Sequence, residues 1–175
     1  MKGKTLSSDF LIIGSGIAGL SLALKASRHG TVRLVTKRLL SESATDYAQG
    51  GLAAVFSQDD SVEAHVQDTL ECGAGLSDEK VVRKVVTDSP ARIQDLIDWG
   101  VRFTSSPAVD TEQPRFELGL EGGHSRRRIL HVGDYTGHAV EQVLVDRVRQ
   151  DPRITVHEYH SAVDLLTRRR LGKSV

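Results

Sequence analysis

The feature that most constrains this chain is a short apolar run, residues 10–13, that leads directly into a glycine-rich turn. The turn reads Gly14-Ser15-Gly16-Ile17-Ala18-Gly19, and a segment with helical spacing and a second apolar run at 32–35 follow it. A continuous apolar run is typical of a strand buried on both faces of a parallel sheet. The order of strand, turn, helix and strand therefore predicts a βαβ unit with parallel strands.

The three glycines of this turn have distinct tasks in a dinucleotide site. Gly14 allows the tight turn, Gly16 lets a pyrophosphate approach the backbone, and Gly19 lets the helix pack closely on the strand. The N-terminus of the following helix then faces the anion. We predict that residues 14–19 bind a dinucleotide; the alternative is a turn that packs a helix on a sheet without a ligand.

The second strand ends in an unexpected pair of residues. A dinucleotide site usually has Asp or Glu here for the ribose hydroxyls, whereas this chain has Thr36 and Lys37. Lys37 either approaches the adenosine or phosphate part of the cofactor or is a solvated surface lysine. The missing acid argues against ordinary NAD binding but not against nucleotide binding.

A long loop without periodicity covers residues 37–51 and ends in two glycines. Paired glycines let a backbone lie flush against a planar ring and offer it N–H groups. A flexible surface loop is the alternative. The predicted cofactor contacts in the loop are Ala44, Thr45, Asp46, Tyr47, Ala48, Gln49, Gly50 and Gly51.

The rest of the chain alternates between helical and strand-like patterns. We predict helices over 61–72, 78–87 and 136–150, and a further helix that Ser89 and Pro90 begin and Gly100 ends. Strands are predicted at 128–132, 154–159 and 163–166. A turn at 168–173 follows the last strand without a partner strand, which complete domains usually provide. We therefore expect the chain to be the N-terminal part of a longer protein.

Composition excludes several classes of function. Lys plus Arg and Asp plus Glu are balanced at 23 each, so no net field attracts nucleic acid. The one cysteine excludes an intrachain disulfide and a multi-cysteine metal site, and it fits a reducing, cytoplasmic location. No apolar stretch is long enough to span a membrane. We expect a soluble protein with small-molecule partners and no metal site.

The motifs together resemble one flavoprotein family, the succinate dehydrogenase, fumarate reductase and L-aspartate oxidase flavoproteins. The resemblance rests on four stretches: the turn at 14–19, Thr36-Lys37, the segment 44–51, and Glu121-Gly122-Gly123-His124-Ser125 leading into 127–131. It implies a Rossmann-like α/β FAD-binding domain, with a parallel sheet and inserted helices, over residues 1–175. It also implies that the capping and C-terminal helical domains are absent.

The resemblance further separates the branches of the family. Respiratory members link FAD covalently through a histidine whose position matches Ala44, so FAD is expected to bind non-covalently. Ala44, the Tyr47–Gly51 stretch and the Glu121–Ser125 segment resemble the L-aspartate oxidases, in which FAD takes a hydride from L-aspartate and oxygen or fumarate reoxidises it. The resemblance implies that Glu121 pairs with the substrate ammonium group and that His124 is a nearby polar contact. Their alternatives are a solvated glutamate and an exposed histidine.

Two other interpretations stay open. One is a respiratory-type flavoprotein that acts on dicarboxylates without an amine, and the other is a nucleotide-binding module without activity. The groups that clamp both carboxylates and move the proton lie in later segments of the family, so no catalytic residue is assigned within this chain. Residues 126–128, three consecutive arginines, are expected to form a solvated face.

Overall fold

The computed structural model describes residues 5–106 and 115–167, together with Gly172. The chain divides into two compact units, Met1–Ala44 with Leu144–Val175, and Thr45–Val143. In chain order the elements are β1 (Phe10–Ile13), α1 (Ile17–Ala26), β2 (Val32–Val35), β3 (Leu52–Ala53), α2 (Val62–Cys72), α3 (Glu79–Trp99), β4 (Ser105–Ser106), β5 (Arg115–Phe116), β6 (Ile129–Leu130), α4 (Thr136–Gln150) and β7 (Ile154–His157).

The first unit is built on a parallel sheet. Its strand order is β1-β2-β7, and both pairs are parallel, with Phe10 opposite Val32 and Val32 opposite Ile154. Helix α1 connects β1 to β2 and packs on both. The prediction of a βαβ unit with parallel strands is therefore confirmed, as is the α/β fold class.

The expectation that β1 is buried on both faces is wrong. The residues of this strand are mostly exposed, and within the described residues its one neighbouring strand is β2. Ile12 is buried, whereas Leu11 and Ile13 are 59% and 52% exposed. Because alternate side chains of a strand point to opposite faces, one face of β1 packs inward while the other lies open. The apolar run predicted the strand correctly but not its place at an edge.

The middle of the chain corrects a second expectation. Two helices were predicted, with a break at Ser89-Pro90, but α3 runs unbroken from Glu79 to Trp99 with Pro90 inside it. Proline has no N–H to donate to the carbonyl four residues earlier, which is that of Val86. The hydroxyl of Ser89 donates to this same carbonyl at 2.9 Å. Ser89 thus satisfies the acceptor that Pro90 leaves open, and it is not a helix cap.

The true ends of α3 have strong local signals. The Asp78 side chain accepts hydrogen bonds from the backbone N–H groups of Lys80 and Val81, which caps the N-terminus. Gly100 ends the helix in the left-handed conformation, at φ 115°. The predicted C-terminus at Gly100 is therefore confirmed. In the same unit, α2 packs on α3, and β3 pairs antiparallel with β6.

The segment after β7 differs from its prediction. Residues 163–166 were expected to form a strand, but the described backbone there has no strand, and Val163 is 96% exposed. A strand needs a neighbour to satisfy its backbone groups, and none of the described strands lies beside this segment. The predicted turn at 168–173 lies outside the described residues except for Gly172.

No helix in the described part of the chain has the length and apolarity of a membrane span.

Candidate functional site

The glycine turn of the first unit has the geometry of an anion-binding turn. Gly14 has φ +105°, a conformation that side-chain-bearing residues rarely adopt. A Cβ atom on Gly19 would lie 2.0 Å from the carbonyl oxygen of Gly14, so this contact between helix and turn requires glycine. Gly16 is the N-cap of α1 and provides no side-chain cap, and the first turn carries no acidic residue. The helix N-terminus thus keeps its attraction for an anion.

A cleft of about 420 Å³ opens at the carboxyl end of β1 and β2. The hydroxyls of Ser15 and Thr36 are hydrogen-bonded at 3.0 Å and buried, which ties the glycine turn to the end of β2. The neighbouring Lys37 is exposed and lines the cleft, so a cation stands where an acid is usual. The complete lining is Ile13, Gly14, Ser15, Gly16, Val35, Thr36, Lys37, Glu42, Ser43, His160, Ser161 and Ala162.

Some residues that line this cleft were not among the predicted cofactor contacts. Glu42 and Ser43 precede the predicted contacts at 44–51, and residues 160–162 follow β7. The backbone N–H of His160 donates to the carbonyl of Thr36 at 3.0 Å, which holds this segment against the end of β2. Ligands of open α/β sheets bind outside the carboxyl ends of the strands. The predicted strand at 154–159 therefore carried a signal for residues 160–162.

The loop predicted to contact a planar ring is anchored in the second unit. The N–H of Gly137 donates to the carbonyl of Ala48 at 2.9 Å, and the ring Nδ1 of His138 lies 2.7 Å from the carboxylate of Asp46. A Cβ atom on Gly137 would lie 2.1 Å from the carbonyl oxygen of Thr45. The packing of this loop therefore requires glycine at position 137, and sequence analysis missed it because its partners lie far away along the chain.

Two predicted segments of the second unit meet. The backbone N–H of Gly51 lies 3.5 Å from the carboxylate Oε1 of Glu121, and a Cβ atom on Gly50 would be 3.9 Å from the same oxygen. Gly51 itself packs on β6, since a Cβ atom there would be 2.3 Å from the Ile129 side chain. Glu121 is exposed. The acidic side chain predicted to hold an ammonium group thus lies next to the paired glycines.

His124 is held by a buried charge network. Arg128 is fully buried and donates from Nε and Nη2 to the two carboxylate oxygens of Asp60, at 2.8 and 2.7 Å. Its Nη1 donates to Asp68 at 2.6 Å and lies 3.1 Å from Nδ1 of His124. The expectation of a solvated arginine face is wrong for Arg128, because Asp60 and Asp68 neutralise it inside the fold. Arg126 and Arg127 are exposed, as expected.

The network shifts the pKa values of its members. Although burial opposes the change, hydrogen bonds from Ser125 and Arg128 lower the pKa of Asp68 to about 2. Burial raises the pKa of Asp60, but hydrogen bonds from Arg128 and the Ser61 backbone, with the charge of Arg128, outweigh it and lower the pKa. Burial and the charge of Arg128 lower the pKa of the neighbouring His65. At neutral pH the network is therefore one cation between two carboxylates, beside a neutral His65.

Comparisons with known proteins bear on this geometry. A family model described as FAD binding domain matches residues 9–174. The chain is 51% identical to an L-aspartate oxidase of Vibrio cholerae over 94% of its own length and 31% of that protein. It is 48% identical to the chloroplastic L-aspartate oxidase 2-a of Nicotiana tabacum, over 94% of the chain and 25% of that protein. The chain thus spans about a quarter to a third of the length of these relatives.

Solved structures have the same fold. A variant of E. coli quinol fumarate reductase FrdA superposes with a TM-score of 0.81 at 28% identity. The superposition covers 90% of this chain and 26% of the other. The fold of this chain is therefore similar to that part of the fumarate reductase chain.

Proposed function

Because this chain belongs to the FAD binding domain family, we propose that it is the cofactor-binding portion of a flavoprotein that oxidises L-aspartate to iminoaspartate. The family match confirms the predictions of FAD as cofactor and of a Rossmann-like FAD-binding domain. When bound, FAD supplies the acceptor for the hydride that leaves Cα of the substrate, and oxygen or fumarate is the proposed final electron acceptor. The residues of this chain are proposed to bind FAD and to orient the substrate beside it.

The glycine turn is the proposed site of the pyrophosphate. The backbone of Gly14 to Gly19 and the uncapped N-terminus of α1 favour an anion, and Lys37 adds a positive charge to the same cleft. Residues 44–51 are proposed to contact the flavin ring through their backbone. Ala44 has no group that could form a covalent link, so the proposed attachment is non-covalent.

The observation that carries the substrate assignment is the position of Glu121 beside Gly50 and Gly51. A carboxylate there can pair with the α-ammonium group of an amino acid, and a dicarboxylate without an amine offers no such cation. We propose that Glu121 selects L-aspartate and that His124 contacts one of its carboxylates. The groups that clamp both carboxylates and move the proton are proposed to come from outside residues 1–175. A soluble, cytoplasmic protein without nucleic-acid partners fits this function.

Two alternatives have support of their own. The similarity to fumarate reductase favours a flavoprotein that acts on dicarboxylates, but Ala44 and Glu121 fit an amine substrate and a non-covalent flavin better. A nucleotide-binding module without activity would keep the glycine turn and would not need Glu121 beside the paired glycines. A preference for L-aspartate over a dicarboxylate without an amine would separate the proposal from the first alternative. Any catalytic turnover would separate it from the second.

The cofactor assignment is tested on the purified chain. FAD is titrated and its fluorescence followed, with Gly16→Glu as the variant that places a carboxylate at the proposed pyrophosphate position. We expect binding to the original chain, loss of binding in the variant, and release of all FAD on denaturation. Equal fluorescence changes in both proteins would remove the glycine turn from the site.

The substrate assignment is tested in a chimera. The matching segment of the Vibrio cholerae L-aspartate oxidase is replaced by this chain, and loss of the flavin's visible absorbance is followed without oxygen. L-Aspartate is expected to bleach the flavin and succinate is not. Glu121→Gln is expected to raise KM for L-aspartate about tenfold, because a charge-assisted hydrogen bond becomes a neutral one. Bleaching by succinate in preference to L-aspartate would support the respiratory alternative.

A further inference from the structure

The Arg128 network includes a contact with His124, for which the proposed function gives only a contact with a substrate carboxylate. Arg128 uses Nε and Nη2 on Asp60 and shares Nη1 between Asp68 and Nδ1 of His124. A guanidinium group has donors and no acceptor. The contact at 3.1 Å between Arg128 Nη1 and His124 Nδ1 therefore requires Nδ1 to accept. In the neutral ring the proton then lies on Nε2.

Other contacts hold the imidazole and its loop in place. The ring of His65 packs edge to face on the ring of His124, with their centres 5.5 Å apart. The backbone N–H and the hydroxyl of Ser125 both donate to Asp68, at 2.8 and 2.9 Å. Asp68 thus binds Arg128 and the residue next to His124 through the same oxygen. The loop 121–125 and the guanidinium group are fixed as one assembly.

The ring edge that Arg128 leaves unused is Nε2. His124 is half-buried and lines a cleft of about 470 Å³ together with Asp68, Glu71, Cys72, Gly123 and Ser125. We propose that Arg128 is a positioning residue that fixes His124 as a neutral donor, with Nδ1 closed by the guanidinium group and Nε2–H available to a carboxylate of the substrate. A carboxylate only accepts hydrogen bonds, so a ring committed to donation matches it.

This inference rests on the proposed function for the identity of the acceptor, a substrate carboxylate. The fixed state of the ring does not depend on it, because every contact that fixes the ring lies within this chain. The inference also separates two roles in the loop. Glu121 provides charge for the ammonium group, whereas His124 provides a neutral hydrogen bond whose direction Arg128 sets.

The test uses NMR of the chain with ¹⁵N-labelled histidine at a pH at which its histidines are neutral. Free imidazole already prefers the proton on Nε2, so the decisive signal is Nδ1 of His124. Its ¹⁵N resonance is expected far downfield, in the range of an unprotonated ring nitrogen, with no detectable Nδ1–H form. In Arg128→Lys, which keeps the positive charge but lacks the planar guanidinium group, an Nδ1–H fraction is expected to appear and to move the resonance upfield. The matched control, Arg127→Lys, is expected to leave the signal unchanged.

Two results would overturn the inference. One is an Nδ1–H form of His124 in the unsubstituted chain, a measurement that stands even if Arg128→Lys does not fold. The other is a folded Arg128→Lys variant whose His124 resonances are those of the original chain. The chimera distinguishes this failure from failure of the proposed function, since it reports substrate choice and not the state of the ring.

Discussion

The candidate functional surfaces of the two units differ in the chemical groups that form them. In the first unit, the glycine turn and the cleft beside it are mostly backbone: Gly14 and Gly19 matter because they have no side chain. In the second unit, His124 contacts a charged network, Arg128 between Asp60 and Asp68. The first surface is sensitive to an added side chain, through a clash at Gly19 and a left-handed backbone at Gly14, and the second is sensitive to loss of a charge.

This difference decides what kind of substitution each surface senses. A methyl group added at Gly19 collides with the carbonyl group of Gly14, a backbone atom that cannot move without distorting the turn. Removal of one partner from a buried ion pair leaves a charge without solvent or counterion. Four predictions test the contrast, from the largest expected effect to the smallest.

The largest effect is expected for removal of the buried cation. Arg128→Met leaves the buried carboxylate of Asp60 and the partly exposed carboxylate of Asp68 without their shared partner, so the free energy of unfolding should fall by about 3–5 kcal/mol. Urea denaturation measures the change. Arg127→Met, at the exposed neighbouring position, should change it by less than about 0.5 kcal/mol. Equal effects at the two positions would contradict the division between buried and solvated arginines.

The second prediction adds a single carbon to the glycine turn. Gly19→Ala places Cβ 2.0 Å from the carbonyl oxygen of Gly14, and we expect a loss of about 3 kcal/mol in stability together with weaker FAD binding. Gly122→Ala is the matched control in the other unit, where no atom lies within 4 Å of the added Cβ. Tolerance of alanine at Gly19 would show that close packing of helix and turn is not required.

The third prediction concerns acid. The pKa of Asp68 falls from 3.8 to about 2 in the folded chain, so its ionised form stabilises the fold at neutral pH. That contribution, about 2 kcal/mol, is complete above the unfolded pKa and is lost as the pH falls from about 5 to about 2. Unfolding free energies across this range measure it. Asp68→Asn should remove this part of the pH dependence, and an unchanged profile would exclude Asp68 as its source.

The smallest effect is expected for the exposed lysine of the cleft. Lys37→Gln should weaken FAD binding about fivefold, close to 1 kcal/mol, because a solvated charge contributes little to binding. The difference should shrink at high salt, as solvent screens the charge. Lys80→Gln, on α3, serves as the control, and fluorescence titration as the measurement. If Lys37→Gln binds FAD as tightly as the original chain, Lys37 is a surface residue and not a cofactor contact.

The same contrast explains how much the sequence could predict. The βαβ unit was predicted with exact strands, because an apolar run, a glycine turn and a helix are adjacent in the chain. The resemblance also picked out Glu121 and the paired glycines, which the structure brings together. Each of these signals is either local or carried by a family motif. Such signals can be recognised from the sequence because the residues that carry each one are adjacent in the chain.

The missed features depend on distant partners. Arg128 stands in a run of three arginines, and nothing local distinguishes it from Arg127; its burial follows from Asp60 and Asp68, which are 68 and 60 residues away. Gly137 is required by carbonyl groups of the loop at 45–48. The edge position of β1 and the lack of a strand at 163–166 likewise depend on which neighbours are present. Pairing of this kind cannot be deduced from residue type alone.

The anchor of the loop at 45–48 on the start of α4 also has a kinetic consequence. Asp46 and His138, which hold the loop, are 92 residues apart in the chain. Closing a segment of that length costs conformational entropy before any contact is gained, so such contacts form late in folding. The glycine turn, by contrast, is tied to a residue only 21 positions away, through the hydrogen bond between Ser15 and Thr36. A nascent chain is therefore expected to form its glycine turn well before the loop at 45–48 takes shape.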